Sequence, residues 1–286
     1  MTVAPTVANC VLAADPSTAG QIGVAAPKRD GSATLRAFCI GHVPPRFAPA
    51  LVYTMVSPRP LGVPGELVLS DQRFGPGLDG AALAEYSQLF GLQDMLEAGD
   101  LVADRLYLFQ YRKFIGLRAG GAPAMEPWVR IARSEEAAML CPTAEQLLAA
   151  PQPVVVGSMH ALGGSVAQQY ALVHVVDDMV MFAACLASAG MDTAAVKRFT
   201  TFQALIPSPA LCLVDVPLFL QHMRVLREAW TTFATHCAVS REGGQRRVAG
   251  FLLERLHSHL LFQSLLDGSQ PHVGIGHRFV VVNPAD

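Results

Sequence analysis

Short apolar runs that alternate with longer, helix-like segments are the feature that most restricts how this chain can fold. The run 37–40 ends at a glycine that is soon followed by a Pro-Pro pair, and the run 153–156 is short and β-branched. Segments 81–98 and 245–266 instead have large apolar residues at a spacing that gives one apolar helix face. Because short buried strands alternating with helices form a sheet covered on both faces, the sequence predicts an α/β fold.

Individual residues refine this pattern. Gly99 is a plausible stop for the helix over 81–98, and Thr143 is a candidate cap for a short helix over 142–150. The remaining predicted elements are helices over 177–189, 193–204 and 218–235, and strands over 51–56, 101–111, 210–214 and 273–282.

The domain organisation follows from a change in composition. Residues 1–34 are rich in Ala, Thr, Pro and Gly and contain few large apolar residues, which predicts a loose N-terminal arm. No strong linker follows residue 35. We therefore predict one domain over 35–286.

Composition excludes several classes of protein. The chain is 51% hydrophobic and 15% charged, so it can bury far more apolar surface than a disordered chain could. Its formal net charge is −2 and it has no basic run, which argues against nucleic acid as a partner. The sequence predicts a large core with little charged surface.

The order of the residues argues against a membrane span and for the cytoplasm. The apolar segment 171–189 carries a histidine and two aspartates, and the segment 205–220 is interrupted by prolines, so neither is expected to span a bilayer. The first basic residue is Lys28, and no signal peptide follows it. Six scattered cysteines without a C-x-x-C pair indicate reduced thiols and a cytoplasmic protein.

Familiar site motifs are absent from the sequence. It has no G-x-G-x-x-G, no P-loop and no G-x-S-x-G nucleophile elbow. His257 and His259 are expected on different helix faces, where they could not share a metal ion. No D-x-D pair presents carboxylates to a divalent cation that holds a nucleotide diphosphate. The sequence therefore predicts no required cofactor and gives no support for a metal ion, while the metal dependence of the protein stays open.

A first polar cluster contains Gln110, Tyr111, Arg112 and Lys113, at the end of a predicted strand. Ligands of α/β sheets lie beyond the carboxyl ends of strands. A guanidinium and an ammonium at that position could hold phosphate oxygens. The alternative is a solvated strand end.

A second cluster contains Gln169, Tyr170, His174, Asp177 and Asp178. Within a helix, residues 170, 174 and 177 share a face, and adjacent carboxylates beside a histidine are costly to bury unpaired. Such groups are candidates for a general base or for a ligand of a substrate hydroxyl. The alternative is a helix N-terminus at which the two aspartates cap free N–H groups.

A third cluster is the pair Glu254 and Arg255, which interrupts an otherwise apolar helix. Glu254 could reach a sugar hydroxyl or orient Arg112. An ordinary surface pair is the alternative.

These clusters occur in the same order in a family of bacterial glycosyltransferases from capsule and lipopolysaccharide gene clusters, which the chain resembles. The family pattern begins with a helix rich in Thr, Tyr and Trp, followed by a strand ending in His-Tyr-Arg-Arg-Tyr-Phe. Gln-Tyr…His…Glu-Asp, a strand with Asn-Met, and Arg…Gly-Phe…Glu-Arg-Leu come after it. The resemblance covers roughly 37–265. The matching stretches are 83–90, 110–114, 169–178, 212–217 and 247–256.

The resemblance implies a glycosyltransferase-A-like single domain, with a mostly parallel mixed sheet flanked by helices and a nucleotide sugar over the strand ends. Arg112 and Lys113 are expected to neutralise the diphosphate without a metal ion. Asp178 or Asp177 is expected to take the acceptor proton or else to bind a donor hydroxyl, and Glu254 and Arg255 are expected to close the pocket. The full set expected at the donor is Gln110, Tyr111, Arg112, Lys113, Gln169, Tyr170, His174, Asp215 and Arg255.

The sequence also departs from the family pattern. Gln110 replaces the family histidine, Lys113 an arginine and Phe114 a tyrosine, while Val214-Asp215 stands in place of Asn-Met. A non-catalytic binding or scaffold protein with the same fold is therefore an alternative hypothesis. A third hypothesis is a sugar-phosphate hydrolase that uses Asp177 and Asp178.

The predicted partners follow from the transferase hypothesis and the composition. The donor is a nucleotide sugar, and the acceptor is a saccharide or a small molecule. A low charged fraction leaves apolar patches exposed, which predicts a homodimer and allows peripheral contact with a lipid-linked acceptor at a membrane.

Overall fold

A computed structural model of the chain describes residues 33–69, 80–237, 241–266 and 273–282. The predicted arm over 1–34 lies outside these residues, except for its last two positions. The strands are β1 (Leu35–Ile40), β2 (Thr54–Ser57), β3 (Leu67–Val68), β4 (Arg105–Gln110), β5 (Lys113–Gly116), β6 (Ala122–Pro123), β7 (Arg130–Arg133), β8 (Val154–Val156), β9 (His160–Ala161), β10 (Ala204–Leu205), β11 (Cys212–Asp215), β12 (Val273–Ile275) and β13 (His277–Val282).

Helices connect these strands. They are α1 (Gly80–Leu83), α2 (Tyr86–Ala98), α3 (Ser134–Leu140), α4 (Ala144–Ala149), α5 (Val166–Val173), α6 (Val176–Ser188), α7 (Thr193–Thr201), α8 (Val216–Cys237) and α9 (Val248–Leu266), the last preceded by a 3-10 turn over Gly243–Arg247.

The main sheet has the strand order β3-β2-β1-β4-β11-β8-β12. β1 to β4 are mutually parallel, and only β11 runs against its neighbours in this order. The predicted α/β fold with a mostly parallel mixed sheet is thus confirmed. The direction in which the chain adds strands also reverses between β1 and β4. β2 and β3 extend the sheet on one side of β1, whereas β4 pairs on its other side.

A second group of strands extends the sheet from the end of β4. Gln110 pairs with Lys113 across the β4–β5 turn, and β13 pairs antiparallel with β5 and parallel with β7. β6 adds to β7 as a short hairpin. These strands bring the end of the chain next to the first polar cluster, a neighbour that local sequence signals do not reveal.

Alternating side chains of β4 pack into two cores. Leu106 and Leu108 belong to the larger core, which lies under α2, α6, α8 and α9. Tyr107 and Phe109 face the smaller core, which includes side chains of α3 and α4. Since full burial of one large apolar side chain contributes about 1.5–3 kcal/mol, covering both faces stabilises the central strands strongly.

Several local predictions are confirmed and others shift. Gly99 ends α2 in the left-handed conformation with φ 80°, and Thr143 caps α4 through a reciprocal capping box with Gln146. The helix predicted over 193–204 ends at Thr201, because the following residues pair as β10 with β9. The short strands β5, β6, β7 and β9 were not predicted, since two-to-four-residue strands formed by long-range pairing carry little periodic signal.

The helix α9 sends its two histidines into different surroundings, as their spacing predicts. Nδ1 of His257 lies 3.3 Å from the Tyr86 hydroxyl, and its ring lies 5.5 Å from that of His222. His259 contacts Phe199 instead. Burial lowers the pKa of His222 and of His259 to about 4, so these imidazoles are neutral core groups near neutral pH.

Within the part of the chain that the structure describes, no helix combines the length and the apolar character needed to cross a bilayer.

Candidate functional site

A cavity of about 1370 Å³ opens at the carboxyl ends of the parallel strands β1, β2 and β4. Gly41 follows β1, Arg59 follows β2, and Gln110 ends β4, and all three line it. This edge lies where the strand order reverses between β1 and β4. Crevices at such switch points are the usual ligand sites of open α/β sheets.

Other elements close the cavity from the sides. They contribute Ala84, Glu85 and Gln88 at α2, Trp128 and Ile131 near β7, His160 and Leu162 at β9, Gln169 of α5, Pro207 and Ser208 after β10, Arg247, Phe251 and Glu254 around α9, and Arg278 of β13.

One wall of the cavity is cationic. Lys113 at the start of β5 and Arg278 of β13 belong to neighbouring strands, and Arg112 lies beside them. Burial lowers the pKa of the Lys113 ammonium, and the positive charge of Arg278 lowers it further. Such a wall is suited to an anionic ligand, whose charge would relieve this repulsion.

Arg278 is the most informative cation of this wall. Its Nε and Nη1 atoms are buried and have no hydrogen-bond partner among the described residues. Burial also lowers the pKa of its guanidinium, while the carboxylates of Glu254 and Glu126 act in the opposite direction. An unsatisfied buried donor costs about 1–3 kcal/mol, and more when it is charged, so these atoms are expected to find a partner in a bound anion.

The sequence prediction missed Arg278, which lies beyond the stretch that resembles the known family. A signal was available in the run His277-Arg278-Phe279-Val280-Val281-Val282, where a lone arginine interrupts an apolar strand. An inward-facing charge in such a strand requires an explanation.

Two carboxylates, those of Glu254 and Glu85, face the cationic wall. Glu254 lies on α9, and its Oε1 accepts a hydrogen bond of 2.8 Å from the backbone N–H of Ser208. Glu85 precedes α2, and its Oε2 lies 3.6 Å from Nη2 of Arg247. The Glu85 side chain is only 16% exposed. Burial raises the pKa of Glu85, and the nearby charge of Glu254 raises it further. Sequence reasoning found Glu254 but not Glu85.

The backbone is strained beside both carboxylates. Ala84 has φ 51° and Ser208 has φ 52°, and they are the two non-glycine residues with positive φ in the described ranges. Both line the cavity. Gly250 of α9 lies against Ala84, since a Cβ at Gly250 would come within 3.0 Å of the Ala84 Cβ. Strained residues cluster at functional sites, where the surrounding packing holds them in place.

The first predicted cluster lies together at the cavity. Gln110, Tyr111, Arg112 and Lys113 all line it. The Tyr111 ring contacts His42 at a centroid distance of 5.4 Å, and the guanidinium of Arg112 lies 5.5 Å from the centre of the Tyr111 ring. Arg112 is exposed at the rim, whereas Lys113 is half-buried.

The second and third clusters meet behind the cavity wall. Gln169 lines the cavity, and its Oε1 accepts hydrogen bonds of 3.1 and 2.7 Å from Nε and Nη2 of Arg255. Arg255 is buried, with its guanidinium over the Tyr170 ring, and His174 stacks on Phe251. Arg255, Tyr170 and His174 therefore position Gln169 and Phe251 rather than line the cavity themselves.

Asp177 and Asp178 lie apart from this cavity. Asp178 is buried and paired with Arg241, whose Nη2 lies 2.7 Å from Oδ1 and whose Nε lies 3.3 Å from Oδ2. Asp177 is exposed in the first turn of α6, where a carboxylate favours the helix dipole. Both aspartates thus lie in the first turn of α6, but the N-cap is Val175 and has no side-chain cap hydrogen bond. Asp178 instead pairs with the chain ahead of α9.

Asp215 also lies elsewhere, because β11 runs antiparallel to β4. Asp215 at the end of β11 is therefore paired with Arg105 at the beginning of β4, while the cavity is at the end of β4. Nε of Arg105 lies 2.9 Å from Oδ1 of Asp215, and Arg105 also donates to the carbonyls of Leu147 and Ala150. The structure therefore places Asp215, which the sequence predicts at the donor, beside a buried arginine and away from the cavity.

Replacing Asp215 with Asn is expected to lower the free energy of unfolding by about 3 kcal/mol, because it removes the negative charge 2.9 Å from the buried guanidinium of Arg105. Urea denaturation measures this loss, with the exposed Asp100→Asn as the matched control. The nucleotide sugar that the resemblance implies should, if it binds, have the same affinity for the folded variant as for the wild type. A selective loss of that affinity would place Asp215 at the ligand.

In the described ranges, no group of three or more His, Cys, Asp and Glu side chains could hold a metal ion. The charged side chains that line the cavity are the basic Arg59, Arg112, Lys113, Arg247 and Arg278 and the acidic Glu85, Glu126 and Glu254.

Comparison with known proteins identifies a shared fold. No protein-family model matches this chain, and no curated protein matches it. Among solved structures it is similar to the apo structure of WbbM, a bifunctional glycosyltransferase, with a TM-score of 0.71 and 15% sequence identity. The match covers 87% of this chain but 46% of WbbM, so the chain spans less than half the length of that protein. The expected fold, a mostly parallel mixed sheet between helices, is thus confirmed as one that also occurs in a glycosyltransferase.

Proposed function

We propose that this protein is a glycosyltransferase that takes a sugar from a nucleotide-sugar donor and transfers it to a hydroxyl of an acceptor. The observation that carries the proposal is the unsatisfied guanidinium of Arg278 beside Lys113, facing Glu254 in the switch-point cavity. A diphosphate supplies the missing acceptors for these cations. The fold shared with WbbM supports the same reaction class.

In the proposed step the bond between the anomeric carbon and the diphosphate oxygen breaks. The acceptor oxygen forms a new bond to that carbon, and its proton passes to the carboxylate of Glu254. The electron pair of the broken bond leaves on the nucleoside diphosphate, where Lys113 and Arg278 neutralise the charge as it develops. Glu254 is assigned this proton in place of Asp177 and Asp178, because it lines the cavity.

Glu85 supports this assignment. Burial raises the pKa of Glu85, and the negative charge of the neighbouring Glu254 raises it further. A carboxylate with a raised pKa that lines a cavity is typical of an acid–base site.

The rest of the donor has candidate contacts at the ends of β1 and β4. Tyr111 and His42 provide aromatic rings for a nucleobase beside Gly41, whose missing side chain leaves room for close approach. Arg112 at the exposed rim adds a screened attraction for phosphate.

A metal-free site is part of the proposal. Lys113 and Arg278 would do what a divalent ion does in a site that has a D-x-D pair. A cytoplasmic location, a bacterial polysaccharide pathway and a homodimer likewise stay predictions.

Calorimetric titration with UDP-, GDP- and dTDP-sugars, which carry the diphosphate of the proposed step, tests the function. A CMP-sugar, whose leaving group is a nucleoside monophosphate, is titrated for comparison. We expect at least one donor to bind with a Kd of about 1 µM to 1 mM, the usual range of KM, and to bind equally well in EDTA. Loss of binding in EDTA with recovery in Mn²⁺ would overturn the metal-free site. If none of the donors binds with or without Mn²⁺, the transferase proposal fails and the scaffold hypothesis replaces it.

The rate of donor breakdown distinguishes the transferase from the third hypothesis, a sugar-phosphate hydrolase. A hydrolase consumes the donor at the same rate with and without a saccharide, whereas a transferase is expected to be faster when the acceptor is present.

A further inference from the structure

We propose that Trp128 and His160 form an aromatic platform that stacks against the sugar ring of a saccharide acceptor. This inference rests on the proposed function and deepens it, because it names the acceptor class and the place where it binds in the same cavity.

The platform consists of two ring systems from separate segments. Trp128 lies in the β6–β7 hairpin and His160 begins β9, and their ring centroids are 3.7 Å apart at an interplanar angle of 37°. Both side chains line the cavity and both are half-buried. A half-buried indole that lines the cavity leaves part of its apolar surface open to a ligand.

A pyranose ring suits such a surface. One face of many pyranoses presents C–H groups with partial positive charge, which pack on the electron-rich face of an aromatic ring. The hydroxyls around the ring need hydrogen-bond partners, and Glu126 lines the cavity in the same hairpin as Trp128. Apolar stacking combined with a few convergent polar groups is the usual construction of a small-molecule site.

The topology connects the platform to the proposed proton acceptor. His160 pairs with Leu205 in the two-stranded β9–β10 sheet, and Ser208, three residues further along, donates its N–H to Glu254. Three residues span at most about 11 Å. A sugar on the platform therefore lies on the Glu254 side of the cavity, where an acceptor hydroxyl has to be.

A nucleobase is the competing occupant of the platform. The ends of β1 and β4 already carry their own aromatic pair, His42 and Tyr111, at the switch point. Trp128 and His160 belong to neither strand. The His42–Tyr111 pair is therefore assigned to the nucleobase, and the platform of Trp128 and His160 to the acceptor.

Tryptophan fluorescence provides a direct test, because the chain has two tryptophans and Trp230 is only 1% exposed. Acrylamide quenching would be measured while methyl pyranosides of glucose, galactose, mannose and N-acetylglucosamine are titrated. The titrations are made without nucleotide and with the best-bound nucleoside diphosphate. We expect at least one pyranoside to protect the Trp128 signal from quenching.

Substitutions show whether Trp128 itself contacts the pyranoside. Trp128→Ala is expected to weaken pyranoside binding about tenfold by calorimetry, and Trp128→Phe to recover part of it, since stacking depends on the aromatic face. Nucleoside diphosphate binding should be unchanged in both variants. Met125→Ala, at a 96% exposed position in the same hairpin, is the matched control for a local disturbance and should behave as the wild type.

The remaining outcomes contradict either the aromatic platform or the proposed function, and the measurements distinguish the two cases. Equal pyranoside affinity in the wild type and Trp128→Ala, or no pyranoside binding by a protein that binds nucleotide, overturns the platform and leaves the transferase intact. A parallel loss of nucleotide affinity in Trp128→Ala assigns the platform to the nucleobase and also overturns it. Absence of nucleotide binding refutes the proposed function instead, and the titrations without nucleotide then decide whether the platform binds sugar.

Discussion

Replacing Glu254 with Gln is expected to lower kcat about 10³-fold while the affinity for the donor stays within a few-fold of the wild type. Glutamine keeps the shape of the side chain, and its carbonyl can still accept the Ser208 N–H, but it cannot take up the proton of the acceptor hydroxyl. Release of nucleoside diphosphate in the presence of a saccharide acceptor measures the rate, and calorimetry measures the affinity.

Two further measurements show whether Glu254 acts in the reaction itself. Glu228→Gln, at an exposed position of α8, removes the same charge outside the cavity and should leave the rate unchanged. In Glu254→Gln the pKa of Glu85 should fall, because the neighbouring negative charge that helps to raise it is gone. The pH dependence of the reaction rate measures this shift, because a group in the variant should titrate at a lower pH than in the wild type. A Glu254→Gln enzyme within threefold of the wild-type rate would remove Glu254 from the mechanism.

Replacing Arg278 with Met is expected to weaken nucleoside diphosphate binding about 100-fold. The variant loses two buried donors that the ligand is proposed to satisfy, and hydrogen bonds between buried charged groups are worth more than those at a surface. Arg112→Met should cost about tenfold or less, because that guanidinium is exposed at the rim and screened by water and salt. Arg224→Met, on α8 outside the cavity, is the matched control.

The Arg278→Met substitution is expected to leave the free energy of unfolding unchanged or to raise it. Methionine fills much of the space of the arginine stem without burying a charge that lacks a partner, so the desolvation cost disappears in the ligand-free protein. A loss of affinity without a loss of stability is the signature of a residue kept for its ligand. Equal nucleotide affinity in Arg278→Met and Arg224→Met would instead show that the diphosphate binds elsewhere.

The first cluster shows how far local sequence can locate a site. Residues 110–113 follow a buried strand, and the carboxyl end of a strand in an α/β sheet is a place where ligands bind. The structure places all four of these side chains at the cavity, since this inference needed only the strand and its direction within a parallel set.

Asp215 and Asp178 show where the same reasoning stops. Asp215 also ends a strand that was predicted from the sequence, but β11 runs antiparallel to β4, so its end reaches the opposite edge of the sheet. Asp178 was found as a buried acid in a helix, but its partner Arg241 is 63 residues further along the chain. Strand direction and long-range ion pairs are properties of the packed molecule.

The sequence by itself determined the alternation of strands and helices, the helix ends at Gly99 and Thr143, and the polar residues at 110–113 and 254, because each depends on periodicity or on near neighbours. The tertiary structure alone decided that Arg278, Glu85 and Glu254 share one cavity. These residues come from a late strand, an early helix start and the last helix, and only the pairing of β13 with β5 and the close contact of α9 with Ala84 bring them together. Such contacts are determined by the packing of the whole domain, which no local pattern of residues encodes.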